Sequence, residues 1–166
     1  MEIEKNKVSN SRVGFTLIEV LIVIGIMAIL SIAGSRNFVG YRNKNRLKLA
    51  GDEINSMLRT VRDRAISQEE NSFWGVYFRN VGGTSNYMVV YYGKPYGSGH
   101  TTSSIKYLDN SITFLKPASN NTTTTQFSAL SGKLNNSSPV DIEIALKADN
   151  KSSSTIIVYP NGRVEY

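Results

Sequence analysis

With 166 residues, a net charge of +6 and an apolar fraction of 40%, the chain has the size of one domain and enough apolar residues to form a core. It contains no cysteine and one histidine, His100. These counts exclude a disulfide framework and a cysteine nucleophile, and a histidine-based metal site lacks ligands. Ser103 and Asp109 lie near His100, but their spacing does not order the three as a catalytic triad. We therefore expect neither an enzyme nor a bound metal or cofactor.

The first predicted element is the apolar segment 15–33, FTLIEVLIVIGIMAILSIA, in which Glu19 is the one charged residue. About 20 apolar residues cross the hydrocarbon core of a bilayer as a helix. The alternative is a buried core helix, but a domain of this size offers too little protein to cover such a helix on all sides. No small-residue cleavage site follows the segment, which distinguishes it from an ordinary secretory signal peptide. We predict a retained transmembrane helix over residues 15–35.

The helix is predicted to continue beyond this segment, to about residue 68. Apolar side chains recur at steps of three and four, which places them on one face of a helix; they are Leu47, Ala50, Ile54, Met57, Leu58, Val61 and Ala65. No proline precedes Pro95, so no missing backbone donor forces a break. Residues 36–70 are therefore predicted as an amphipathic helix whose apolar face needs a partner surface.

From residue 71 onward the pattern changes to β-strands. Runs rich in β-branched and aromatic residues predict strands at residues 73–79, 87–92, 112–116, 140–146 and 155–159. Pro160-Asn161-Gly162 predicts a turn before a short closing strand. Segments rich in Ser, Thr and Asn predict loops at residues 98–104, 118–125 and 135–138. The expected fold is α+β, with a long N-terminal helix whose second half packs on an antiparallel β-rich head, residues 71–166.

The sequence Gly-Phe-Thr-Leu-Ile-Glu at residues 14–19, followed directly by the apolar run, resembles the signature of type IV pilins and pseudopilins. The resemblance implies that a prepilin peptidase removes residues 1–14 by cutting after Gly14, and that the new N-terminal Phe15 is methylated. It also implies that residues 15–35 lie first in membrane lipid and later in a filament core. Other pilin subunits, the peptidase and an inner-membrane assembly platform are the implied partners.

The same resemblance implies a single-pass inner-membrane protein with a cytoplasmic N-terminus and an outer head, which enters a cell-surface or periplasmic filament after assembly. A count of basic residues beside the segment alone favours a cytoplasmic C-terminal part, so the two indications of topology conflict. Residues 56–78 and the closing IIVYPNGRVEY resemble GspH/FimT-type minor pilins. Many pilins have a proline where this chain has Arg36, so the resemblance does not decide whether the helix kinks or melts.

Glu19 is the residue in the apolar segment that most needs a partner. A carboxylate at the centre of a membrane helix costs about 2.5–3.5 kcal/mol on insertion scales, and less near the interface. Cleavage after Gly14 creates a cation, the amine of Phe15, four residues away. The resemblance implies that the partner of Glu19 is the corresponding amine of a neighbouring subunit, so that the pair helps to set the stagger of assembly.

Two other functions stay open at this point. The first is a DNA-binding minor pilin of a DNA-uptake pilus, because some family members bind DNA through a basic tail that begins Gly-Arg. Here Gly162 and Arg163 are followed by Glu165, so Arg163 is a weak candidate for contact with a phosphate, and nucleic acid is the less favoured partner. Tyrosines offer stacking surfaces for bases, at Tyr91, Tyr92, Tyr96 and Tyr107. The second is a membrane-tethered binding domain that never assembles.

Overall fold

The computed structural model describes residues 14–83 and 85–166. The chain forms two compact units, residues 1–40 and 41–166. A single α-helix, α1, comprises Leu17–Ile66, which confirms the predicted helix to within two residues at each end. The predicted leader, residues 1–14, lies outside the described residues except for Gly14.

In the first unit, the side chains described from Gly14 to Ser31 are all exposed. They include large apolar groups such as Leu17, which is 83% exposed, and Ile29, which is 70% exposed. Within the part of the chain that the structure describes, no helix is both long enough and apolar enough to span a membrane. The transmembrane segment at residues 15–35 stays a prediction, and the side chains of residues 32–35 lie outside the described part.

In the second unit, the predicted apolar stripe of α1 forms one wall of the hydrophobic core. Each of its seven side chains is at most 8% exposed, and Ile54, Leu58 and Ala65 are fully buried. They join one cluster with side chains of both sheets described below, among them Trp74, Phe78 and Ile156. Burial of this face stabilises the helix more than intrinsic propensity does, since helical stability in proteins comes mainly from packing.

The head contains two four-stranded antiparallel sheets. The first has the order β3-β2-β1-β5, with β1 at Phe73–Arg79, β2 at Tyr87–Gly93, β3 at Thr101–Tyr107 and β5 at Thr122–Phe127. The second has the order β4-β6-β7-β8, with β4 at Ile112–Lys116, β6 at Val140–Leu146, β7 at Asp149–Val158 and β8 at Val164–Glu165. The α+β prediction and the five predicted strands are confirmed, and β7 begins six residues earlier than predicted.

The strands β3 and β5 correct the sequence analysis, which assigned most of their residues to loops. All seven residues of β3 are exposed, so no apolar alternation marks this strand. In β5 the buried positions are Thr125 and Phe127. Because most of this strand is a run of threonines, the sequence shows little difference in polarity between its two faces. Threonine suits a pleated strand, and pairing with β2 and β1 decides the conformation.

Candidate functional site

The predicted cleavage point lies in exposed backbone just before α1. Residues 14–16 belong to no helix or strand, and all three are exposed. Apart from its chain neighbours, no described residue lies within 4 Å of the position that a Cβ at Gly14 would occupy. The backbone carbonyl of Thr16 accepts hydrogen bonds from the N–H groups of Glu19, at 3.2 Å, and Val20, at 3.3 Å. Gly14 and Phe15, the two residues of the predicted cleavage point, are therefore both exposed.

Glu19 lies in the first turn of α1, where the helix dipole favours a negative charge. Its side chain is exposed, and none of the ion pairs between described residues includes it. The apolar side chains around it are exposed as well, with Ile18 at 67% and Ile22 at 54%. An exposed apolar surface of this kind marks an interface with protein or lipid. The arrangement presents one carboxylate, available to an external amine, on an otherwise apolar surface.

Arg163, the candidate DNA contact, is held by its own hairpin. Its Nη2 lies 2.9 Å from Glu165 Oε1, and its guanidinium lies 4.7 Å from the centre of the Tyr159 ring. The Tyr159 hydroxyl donates to Glu165 Oε2 at 2.8 Å, and this hydrogen bond raises the pKa of Tyr159. Because Glu165 compensates the charge of Arg163, the geometry does not favour this residue as a phosphate site.

Sequence reasoning missed two further basic residues beside Arg163. Arg59 and Arg62 of α1 line one surface pocket of about 300 Å³ together with Arg163. Arg59 Nη2 donates to the carbonyl of Val164 at 3.4 Å, which links the closing hairpin to the helix. No sequence signal relates these residues, because about 100 positions separate them along the chain and only the fold brings them together.

Gly162 has a structural role in the same hairpin, and Gly162→Ala is expected to destabilise the domain by about 2 kcal/mol or more. Its φ of +84° lies in the left-handed region, and an added Cβ would overlap the backbone oxygen of Gly132. The conformation alone costs a non-glycine residue about 1–2 kcal/mol. Denaturant unfolding measures the loss. Gly83→Ala is the control, since nothing lies within 4 Å of its Cβ position, and an equal effect in both variants would contradict this role.

The tyrosines considered for base stacking are mostly occupied by one another. Tyr91 is 1% exposed and lies over Gly75, where an added Cβ would come within 2.6 Å of the Tyr91 ring. Tyr92 stacks on Trp74 with ring centres 4.9 Å apart. Tyr96 stacks between Tyr77, at 3.8 Å, and His100, at 4.1 Å. Tyr107 is the most exposed of the four, at 70%, and its ring centre lies 6.0 Å from that of Tyr87.

Because Tyr91 is buried, we expect the free energy of unfolding to fall at alkaline pH. Desolvation raises its pKa from 10.0 to about 12, so the folded state favours the neutral phenol. This stabilisation is fully present below pH 10 and is lost as the pH rises from 10 to 12, at 1.36 kcal/mol per unit, or about 2–3 kcal/mol in all. Denaturant unfolding at pH 8, 10 and 12 should show a smaller decline for Tyr91→Phe than for the native chain. Parallel declines would contradict the prediction.

Comparison with known proteins gives a match to the N-terminal residues and a similarity in fold. Residues 12–35 match the family described as the Prokaryotic N-terminal methylation motif. Two crystal structures of the type IV minor pilin FimU of Pseudomonas aeruginosa PAO1 are similar to the chain. One has a TM-score of 0.54 at 15% identity and covers 75% of this chain and 90% of that chain. The other has a TM-score of 0.51 at 15% identity and covers 72% and 90%. No curated protein sequence matches significantly.

These findings show an N-terminal motif and a fold. The chain carries the N-terminal motif of type IV pilins on an α+β fold of the pilin type, as the sequence predicted. Proteins with this motif are membrane-anchored or pilus-associated. At 15% identity, the similarity to FimU establishes the fold, and the finer resemblance to GspH/FimT-type minor pilins stays a prediction.

Proposed function

We propose that the protein is a minor subunit of a type IV pilus or of a type II secretion-like filament. The observation that carries this proposal is the methylation motif at residues 12–35, which leads directly into the helix that begins at Leu17. The exposed apolar side chains of residues 15–31 support it, because such a surface needs lipid or neighbouring helices around it. The resemblance in fold to a minor pilin points in the same direction.

In the proposed mechanism, a prepilin peptidase cuts the accessible bond after Gly14, and the amine of Phe15 is then methylated. The apolar segment holds the subunit in the inner membrane, with the head on the outer side, until the assembly platform moves it into the filament. There the segments of successive subunits pack together and exclude both water and lipid. Glu19 pairs with the Phe15 amine of a neighbour, because a buried carboxylate requires a compensating cation.

The unit of residues 41–166 supplies the surface of the subunit in this proposal. The described residues of its core cluster all lie between Leu47 and Val164, within this unit. The exposed residues of the head are then available for contact with other subunits or with cargo. Arg163 is compensated by Glu165, and for that reason we do not propose DNA binding as a second function.

Processing after Gly14 is the direct test of the proposal. When the protein is produced together with a prepilin peptidase, mass spectrometry of the membrane fraction is expected to show a chain that begins at a methylated Phe15. In Gly14→Val the cleavage should be lost, because a branched side chain then stands at the cleavage point. Gly25→Val, a change farther along the same helix, should still be cleaved. If an active peptidase does not cut the native protein, the filament-subunit proposal is wrong. The alternative, a membrane-tethered domain that never assembles, would then be favoured.

A further inference from the structure

The segment of α1 that opens the second unit is exposed and strongly basic. Arg42, Lys44, Arg46 and Lys48 all have exposed side chains. The sequence contains no acidic residue from position 20 to position 51, so these four residues give the stretch 41–51 a net charge of +4. Such a concentration of one charge sign attracts a partner of the opposite sign.

Three of these cations are not neutralised by the head. The side chains of Lys44, Arg46 and Lys48 form no hydrogen bond or ion pair with another described residue. Hydrogen bonds from Ser111 are the main cause of the lowered pKa of Asp109, and the charge of Arg46 contributes less. The backbone N–H and the hydroxyl of Ser111 both donate to Asp109 Oδ1. The three cations can therefore bind an external anion.

The basic residues lie on two flanks of α1. A step of four residues keeps two side chains on one side of a helix, so Arg42 and Arg46 share one flank while Lys44 and Lys48 share the other. Leu47, which is 7% exposed and faces the core, lies between the flanks. A partner that docks on one face of the helix would meet one pair only. Lipid headgroups surround a helix on every side, and this distribution of charge therefore favours a lipid surface.

The length and the place of the basic stretch in the chain also fit a layer of headgroups. From Arg42 to Lys48 the helix rises about 9 Å, and one headgroup layer is about 5–8 Å thick. Eight residues, 34–41, separate the stretch from the apolar segment in the sequence, and the next acid, Asp52, comes after it. Tyr41, which is 72% exposed, directly precedes the cations, and tyrosine is enriched where a membrane meets water.

We propose that Lys44, Arg46 and Lys48, together with Arg42, bind the phosphate groups of anionic phospholipids around α1. Basic residues close to a membrane helix are attracted to an anionic leaflet. The inference rests on the proposed function, in which residues 15–35 lie in the inner membrane before assembly. It adds the class of lipid that the membrane-bound subunit selects and the residues that select it.

The test uses the full chain in two kinds of nanodisc, one of phosphatidylcholine alone and one of equal parts phosphatidylcholine and phosphatidylglycerol. Acetylation of lysine amines is followed by mass spectrometry. In the anionic discs, acetylation of Lys44 and Lys48 is expected to slow by about fivefold, which corresponds to about 1 kcal/mol for each cation near an anionic surface. Lys94 and Lys133, exposed lysines of the head, should react equally in both discs. Salt at 1 M should abolish the slowing, because it shortens the screening length to about 3 Å.

A charge-matched pair of variants tests the selection of lipid. The first variant removes the three cations by Lys44→Gln, Arg46→Gln and Lys48→Gln. The control removes the same charge from three exposed lysines of the head, by Lys94→Gln, Lys133→Gln and Lys147→Gln. Native mass spectrometry from dodecyl maltoside containing equal amounts of the two lipids measures the lipid that each chain retains. The native chain and the control are expected to retain more phosphatidylglycerol than phosphatidylcholine, and the first variant is expected to show no preference.

The failure of this proposal can be distinguished from the failure of the membrane anchor. If the chain is incorporated into both discs but Lys44 and Lys48 react equally in the two, the lipid site is wrong and the anchor remains. Equal retention of phosphatidylglycerol by the two triple variants would also overturn the lipid site. If the chain is absent from both kinds of disc, the anchor and the lipid site are both wrong.

Discussion

Glu19→Ala is expected to reduce incorporation of the protein into filaments by at least about a hundredfold while leaving it in the membrane. In the proposed filament, the variant would leave the amine of a neighbouring Phe15 buried without a counter-charge. Removing one partner of a buried ion pair costs about 3–5 kcal/mol, and each 1.4 kcal/mol corresponds to a factor of ten. Quantitative immunoblotting of sheared filaments against the membrane fraction measures the ratio directly.

Ser31→Ala serves as the control for this experiment. Ser31 is exposed on the same helix, and its hydroxyl donates to the carbonyl of Met27 at 2.7 Å, so its loss changes no charge. We expect incorporation within twofold of native for this variant. Native levels of Glu19→Ala in filaments would remove the assembly role from Glu19, and loss of both variants from the membrane would point to failed insertion instead.

Leu58→Ala is expected to destabilise the unit of residues 41–166 by about 3 kcal/mol. Leu58 is fully buried in the stripe of α1 that faces the head, and replacing a buried leucine with alanine costs about 2–5 kcal/mol because it removes contacts and leaves a cavity. For a domain of this size, the change lowers the melting temperature by roughly 10 °C or more. Thermal and urea unfolding of the unit of residues 41–166 measures the effect.

The same helix supplies the matched control for this change. Leu49 is 60% exposed, so Leu49→Ala removes the same atoms without opening a cavity. We expect a change within about 0.5 kcal/mol, as for surface substitutions in general. A similar decrease in the free energy of unfolding for the two variants would show that burial of this stripe does not stabilise the unit of residues 41–166.

The helix and five of the strands could be predicted because each has a strong pattern of its own. The stripe from Leu47 to Ala65 repeats at helical spacing, and VDIEIAL at residues 140–146 alternates strictly. In contrast, β3 and β5 have few apolar residues, and their strand conformation depends on pairing with β2 and β1. An exposed edge strand has no buried face, and without one the sequence contains no periodic signal.

The candidate site likewise has a part that the sequence predicts and a part that it does not. Gly14, Phe15 and Glu19 are adjacent in the sequence, so a local motif was sufficient to predict them, and the family match covers those positions. The surroundings of Arg163 were only partly predictable. Glu165 was visible as a nearby acid, but the overlap of Gly162 with Gly132 and the approach of Arg59 and Arg62 depend on contacts between distant segments.

The order of the strands along the chain also bears on when the head folds. Ile156, Val158 and Val164, which belong to β7 and β8, lie in the same cluster as Leu47 and Ile54 of α1. Contacts between such distant segments form late, since a long loop must close before they are made. The burial of the apolar stripe is therefore complete only when β7 and β8 have joined β1 and β2 in this cluster. In the proposed function, in which the head lies on the outer side of the membrane, this order lets most of the chain be synthesised before the core is complete.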